Sequence, residues 1–150
     1  MSTEPSRDSS IAVRTATDAD APAMAPLLAH LGYPADVADL PWRLERLRAS
    51  GDDAFVAMAD GAVVGLATVH ARVMLHDALP VAQLTALVVS PEMRGRGVGR
   101  ALVAQAERWS RARGAKRLVV TTALHRADAP VFYERLGFEH TGRRYVRRFE

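Results

Sequence analysis

The sequence predicts a single α/β or α+β domain, a mixed sheet of about seven strands with about four helices on its faces. Two observations carry that expectation. Short apolar or alternating runs, the mark of strands, recur along the chain, and between them lie stretches whose apolar residues repeat at helical spacing between a cap and a glycine. No internal repeat, low-complexity tract or change of composition marks a second domain between residues 11 and 150, and residues 1–10 read as a flexible N-terminal tail.

The elements follow in order. "IAVRTAT", Ile11 to Thr17, alternates like a short strand. "DADAPAMAPLLAHLG" offers Asp18 or Asp20 as a helix cap, a stripe through Met24, Leu27, Leu28 and Leu31, and Gly32 as the stop. "VADLPWRLERLRASGDD" gives a second helix, with Pro41 near its start and Leu44 and Leu47 on one side. "AFVAMADGAVVGLATVHARV" reads as two strands joined by a hairpin turn at Asp60-Gly61. "VAQLTALVVS" is apolar almost throughout, as a fully buried strand is. A third helix places Val98, Leu102, Ala106 and Trp109 on one face and Arg100, Glu107, Arg108 and Arg111 on the other, with Gly114 closing it. "AKRLVVTT" is a further strand, and "DAPVFYERLGF" a short helix from Asp128 to Gly137. "FEHTGRRYVRRF" reads as two terminal strands around Thr141-Gly142.

Composition narrows the chemistry. With 150 residues, 49% hydrophobic and 25% charged, the chain is long enough to bury a core and has the balance of a soluble globular protein. It has no cysteine, which excludes disulfides, thiolate zinc sites and a cysteine nucleophile, and no metal site is expected. No apolar run approaches the roughly 18 residues of a membrane helix, and the polar start lacks the apolar centre of a signal peptide, so a cytoplasmic location is expected. The net charge is +3, and Lys116 is the only lysine among 20 basic residues. Arginine stays charged and grips phosphate with a planar fork, so phosphorylated ligands and nucleic acid both remain open on charge alone.

The stretch "VVSPEMRGRGVGRAL", Val88 to Leu102, is a strand, a glycine-rich turn and a helix start. Unpaired amides and the positive dipole end of a helix make such a turn an anion site. A phosphate-binding P-loop needs Gly-Lys followed by Ser or Thr, and this turn has Gly99-Arg100-Ala101. A dinucleotide fold needs a third glycine where Leu102 stands, and an acidic residue after the next strand, where "LVVTT" ends in threonine. What remains is Arg94-x-x-Gly97-x-Gly99, followed downstream by "FYERLGFE", Phe132 to Glu139. In these two segments the chain resembles the GCN5-related N-acetyltransferases (the GNAT family). The likeness covers residues 11–149 in element order, with its specific motifs between Leu84 and Phe138.

The resemblance implies a mostly antiparallel sheet, splayed where acetyl-coenzyme A enters, and an acetyl-coenzyme A-dependent N-acetyltransferase. It implies that the turn from Arg94 through Gly95, Arg96, Gly97, Val98 and Gly99 to Arg100 holds the pyrophosphate, and that main-chain groups of Leu87, Val88 and Val89 pair with the pantetheine arm. A bulge at Thr85-Ala86 would open the strand. Tyr133 matches the family's tyrosine acid, beside a core Phe132 packing with Leu136, and an amide at Leu87 or Val89 would hold the oxyanion. Many relatives carry a glutamate base roughly where this chain has Gln83, which cannot accept a proton. His70, His76 and a water chain remain as alternatives. His125 and Arg126 stand where relatives often open the last helix with an asparagine, and His140 reads as ordinary surface.

The acceptor side of this family is built from stretches matching Tyr33 to Asp53, Ala71 to Val81 and Gly142 to Tyr145. There Asp36, Asp39, Asp52, Asp53 and Asp77 would favour a cationic amine, and the expected partner is a small-molecule amine acceptor rather than nucleic acid or membrane. Three alternatives stay open: a non-catalytic acetyl-coenzyme A-binding module, an acetyltransferase of protein N-termini or lysines, and a nucleic-acid binder using Arg143, Arg144, Arg147 and Arg148. On a strand those arginines would alternate between faces, which argues against one continuous basic stripe. A monomer or homodimer is expected.

Overall fold

The computed structural model describes residues 10–121 and 128–149. Its strands β1 (Ala12–Thr15), β2 (Asp53–Ala59), β3 (Ala62–Arg72), β4 (Val81–Val89) and β5 (Arg117–Val120) form one sheet in that spatial order. Its helices are α1 (Ala21–Leu31), α2 (Leu40–Ala49), α3 (Val98–Ala112) and α4 (Asp128–Arg135). The chain divides into a larger unit ending at Val119 and a smaller one beginning at Val120.

In the larger unit β1 to β4 pair antiparallel throughout. The hairpin from β2 to β3 turns at Asp60 and Gly61, both at positive φ (50° and 77°), the primed geometry that matches strand twist. Alternation splits β3 between two layers. Leu66 joins Val56 and Val88 in a core with Met24 and Leu27 of α1 and Leu40 and Leu44 of α2. Gly65 faces the other way, where a Cβ would stand 2.9 Å from the side chains of Val98 and Leu102. The α3 stripe is buried as expected, with Val98, Leu102, Val103, Ala106 and Trp109 inside and Arg100, Arg108 and Arg111 exposed.

Asp20 occupies the N-cap position of α1 but does not cap it. Its carboxylate instead takes both guanidinium nitrogens of Arg14 at 2.7 and 2.8 Å and the Thr17 amide at 2.7 Å. Arg48 of α2 reaches the carbonyl of Ala16, and its Nε meets Asp53 at 3.2 Å. These contacts fasten the start of α1 and the end of α2 to β1 and β2.

In the smaller unit α4 closes on Gly137 at φ 90°, with the Phe138 and Leu136 amides on the Tyr133 carbonyl at 3.0 and 3.1 Å. The expected pair of terminal strands is not formed: residues 138–149 are irregular and, apart from half-buried Phe138, exposed. A strand there would carry arginine on both faces, leaving neither face apolar enough to bury. The described sheet therefore has five strands rather than about seven.

Candidate active site

The turn expected to hold an anion is built on a buried anchor. Met93 is 7% exposed and ends a single 3₁₀ turn at Pro91–Met93, its amide bonded to the Ser90 carbonyl at 2.9 Å. Sequence reading passed over this residue, although it is the lone apolar side chain between Pro91 and Val98. Gly95 and Gly97 then take positive φ (76° and 83°), which carries the chain from the anchor into α3. Nothing lies within 4 Å of where a Cβ of Gly95 would stand, and only a distant Ile11 methyl at 4.0 Å from that of Gly97.

The consequence is a run of free donors. Among the described residues no amide from Gly95 to Arg100 has a close, well-aligned backbone acceptor, and the first such bond of α3 is the Ala101 amide on the Gly97 carbonyl at 3.0 Å. A helix start in this state attracts an anion by its unpaired N–H groups and its dipole. Glycine at both turn positions leaves the approach open. This geometry fits a pyrophosphate, with Gly95, Arg96, Gly97, Val98, Gly99 and Arg100 offering the backbone donors. The arginines point to other partners at present: Arg94 Nη2 lies 3.1 Å from His30 Nε2, and Arg96 Nη1 lies 3.4 Å from the Met93 sulfur. Arg100 is exposed.

The strand that feeds the turn carries the irregularity expected of it. Thr68 of β3 pairs with Ala86, whereas the next residue, Val69, pairs with Leu84, so the ladder skips Thr85. The skipped residue's hydroxyl meets the Thr68 hydroxyl at 2.6 Å. Beyond the bulge, Leu87, Val88 and Val89 pair with Ala67, Leu66 and Gly65. Val88 is 5% exposed and the two flanking side chains are half-buried, so any role for this segment in binding is a main-chain role.

Before the bulge, Gln83 pairs with His70 across the ladder. His70 is half-buried, and its Nδ1 is sealed without a hydrogen-bond partner among the described residues. Burial pushes the imidazole below its ordinary value, helped by the positive charge of Arg72. Asp52 and the Gln83 amide oppose that shift without overcoming it. His76, by contrast, is exposed on the loop between β3 and β4.

Four of the five aspartates expected near the acceptor divide by what they touch. Asp53 is held by Arg48 and by its neighbour's amide, and Asp77 by Lys116 and Arg117 at 2.9 and 3.1 Å, so both fasten the fold. Asp36 and Asp39 line an open cleft of about 260 Å³ with Pro34, Ala35 and Arg43. Trp42 Nε1 donates to Asp39 there at 3.4 Å.

In the smaller unit the Tyr133 ring stands edge-on to Phe132 and Phe138, with centroids 5.1 and 5.5 Å away. Tyr133 is half-buried, as are Phe132 and Leu136. Arg143, Arg144, Arg147 and Arg148 are exposed on irregular chain, so the two-faced arrangement expected of a strand does not arise. His140 is exposed as expected, and His125 and Arg126 lie outside the described residues. Among the described residues no group of acidic or histidine side chains is arranged to hold a metal ion, and no helix is long and apolar enough to cross a membrane.

Known proteins resemble this chain. The chain is 36% identical to an aminoalkylphosphonate N-acetyltransferase of Salmonella typhimurium strain LT2, over 61% of its own length and 60% of that enzyme's. It is 37% identical to an aminoglycoside N(6')-acetyltransferase type 1 of Stenotrophomonas maltophilia, over 87% of this chain and 88% of that one. The solved structure of the aminoglycoside N-acetyltransferase AAC(6')-Iy in complex with CoA superposes with a TM-score of 0.82 at 26% identity, covering 96% of this chain and 97% of that one. The profile of the Acetyltransferase (GNAT) family matches residues 19–138, which include β2 to β5, the glycine turn and α4, and the chain belongs to that family of acetyltransferases.

Proposed function

We propose that this acetyltransferase moves the acetyl group of acetyl-coenzyme A to a primary amine of a small cationic molecule, by direct attack within a ternary complex. The observation that carries the reading is the run of unpaired amides from Gly95 to Arg100, set directly after a bulged strand. Those amides would take the pyrophosphate, and Arg100, with Arg94 and Arg96 once turned from their present partners, would add charge-assisted contacts. Main-chain groups of Leu87, Val88 and Val89 would pair with the pantetheine amides, as an added strand pairs with an edge.

Acetyl-coenzyme A supplies an activated thioester. For its part the chain must hold a neutral amine, stabilise an oxyanion and protonate a thiolate. By the family resemblance an amide at Leu87 or Val89 would serve the oxyanion, and Tyr133 would be the acid. An ordinary tyrosine, near pKa 10, hands its proton to a thiolate, near 8.5, with little driving force. Both relatives cited above act, by their names, on small amines, which supports a small-molecule acceptor over a protein one. In the open cleft the Asp39 carboxylate already has Arg43 at 3.9 Å, so Asp36 is the acid that supports a cationic acceptor there.

A thermal melt tests the reading, with saturating acetyl-coenzyme A compared against ATP and a nicotinamide dinucleotide. Ligand at a hundred times its Kd adds about 2.7 kcal/mol, or roughly 5 to 10 °C for a chain of this size. The expected result is a rise with acetyl-coenzyme A alone, abolished in Gly97→Val, where a side chain stands in the anion's approach. A rise with another nucleotide instead overturns the assignment of the turn.

A further inference from the structure

We propose that His70 is the base that takes the proton from the acceptor ammonium, acting through Nε2, with Asp52 beside it to balance the imidazolium that forms. The inference rests on the acetyl transfer proposed above and names the group that reaction lacks.

Gln83 leaves the position without a proton acceptor, because a neutral amide has no basic lone pair at pH 7. The register supplies one next to it. His70 is the residue paired with Gln83, and it shares its face of β3 with Thr68 and Leu66 by alternation. Leu66 packs with α1 and α2, so His70 lies on the α1 and α2 side of the sheet, away from the side that α3 covers. The β4 bulge at Thr85 falls between the Gln83 pair and the segment Leu87 to Val89. On the other flank Asp53 pairs with Val69, which sets Asp52 beside His70 at the mouth of β2. His70 and Gln83 thus stand opposite each other in the ladder, with Asp52, the residue before β2, acting on the ring from the other flank.

The groups acting on the ring come from each strand around it. Arg72 on β3 disfavours the charged ring, Asp52 favours it, and the amide of Gln83 favours it least. With burial added, the ring is neutral at pH 7 and free to accept a proton. Nδ1 is sealed away from solvent without a partner, which leaves Nε2 as the nitrogen that exchanges protons. His76, exposed on its loop, has no such setting.

The step balances. The acceptor R–NH₃⁺ loses one proton to Nε2 and becomes R–NH₂. Its nitrogen attacks the thioester carbonyl carbon, a C–N bond forms and the C–S bond breaks. As the amide forms nitrogen gives its second proton to solvent, and the departing sulfur takes one from Tyr133 in the scheme above, which regains it from solvent. The imidazolium returns its proton to solvent, so one proton is released overall. A lysine-like amine has a pKa of about 10.4, so freeing it at pH 7 costs more than about 4 kcal/mol, and a positioned base is worth about 10²- to 10⁴-fold.

The test is the pH profile of kcat/KM for acetylation of an aminoglycoside, followed by thiol release, for the wild type and His70→Gln. The wild type is expected to show an ascending limb with an apparent pKa below about 6.5. His70→Gln should lose that limb and fall about 10²- to 10⁴-fold at pH 7. Its deficit should narrow as pH rises and the free amine accumulates, while the melting shift with acetyl-coenzyme A stays that of the wild type. Activity of His70→Gln within threefold of wild type, with the limb retained, would overturn the role of His70 and leave acetyl transfer standing. Should the variant fail to fold, a wild-type profile without an ascending limb between pH 5 and 7 overturns it equally. No acetylation by the wild type of an aminoglycoside, an aminoalkylphosphonate or a polyamine overturns both proposals.

Discussion

Gly65→Ala adds one carbon between β3 and α3, and the structure shows what that carbon meets. It would stand 2.9 Å from Leu102 Cδ1, 2.9 Å from Val98 Cγ1 and 3.3 Å from the Val88 carbonyl oxygen. Carbon pairs settle at about 3.5–4.0 Å, so the gap must open by roughly 0.6 to 1 Å. Leu102 and Val98 are 0% and 1% exposed, which gives their methyls no space to retreat into. Overpacking of this kind costs about 1–3 kcal/mol, against about 0.5–1 kcal/mol that alanine regains from glycine's larger entropy loss in a strand. The net loss lies between about 0 and 2.5 kcal/mol, near 1 kcal/mol at its centre, or about 2 to 5 °C in Tm at this size. Val98 opens α3, so the same displacement moves the amides of the glycine turn, and the Kd for acetyl-coenzyme A is expected to weaken several-fold. Thermal melts with and without ligand read both effects. A variant that melts at or above the wild-type temperature would refute the close seat of α3 on β3.

Two further outcomes follow from other parts of the chain. Tyr133→Phe is expected to lower kcat by about 10²-fold, the low end of the range for a general acid, with little change in acetyl-coenzyme A affinity; unchanged turnover would remove Tyr133 from the mechanism. Asp20 is held at a pKa of about 2, first by the hydrogen bonds from Arg14 and further by the Thr17 amide, against an ordinary value of 3.8. Its contribution is therefore complete above about pH 4 and lost as pH falls toward 2. Because Arg14 is 43% exposed, solvent screening reduces that contribution to about 1 to 2 kcal/mol. Asp20→Asn should lower stability at pH 7 and flatten the acid limb of denaturant titrations, and an unchanged acid limb would show that the pair contributes nothing.

Local chemistry made most of the fold legible. The stripe of α3, the Asp60-Gly61 turn and the glycine stop of α1 are each written in residues within one turn of each other, and each formed where expected. The Thr85 bulge was legible by another route, through likeness to a family, because nothing in "QLTAL" itself marks an unpaired residue. The terminal strands failed because an alternating pattern counts only when one of its faces finds a core, and "RRYVRR" has arginine on both. Asp20 looked like a cap and became an ion-pair partner because Arg14, across the β1 edge, offers its carboxylate more than a helix amide does.

What the sequence by itself determined is the set of parts: a strand leading into glycines at a helix start, a tyrosine in a short late helix, and no cysteine chemistry. Those depend on φ preference, periodicity and residue type, all of which are local. Only the tertiary structure decided which parts become neighbours. Of the five aspartates, it used Asp53 and Asp77 as fasteners and left Asp36 and Asp39 on a cleft. It also set Gln83 opposite His70 and brought Asp52 to bear on the same ring, although they lie up to 31 positions apart in the chain. Strand register makes that choice, since shifting a pairing by one residue turns every side chain to the opposite face, and register is fixed by the whole core rather than by the residues it aligns.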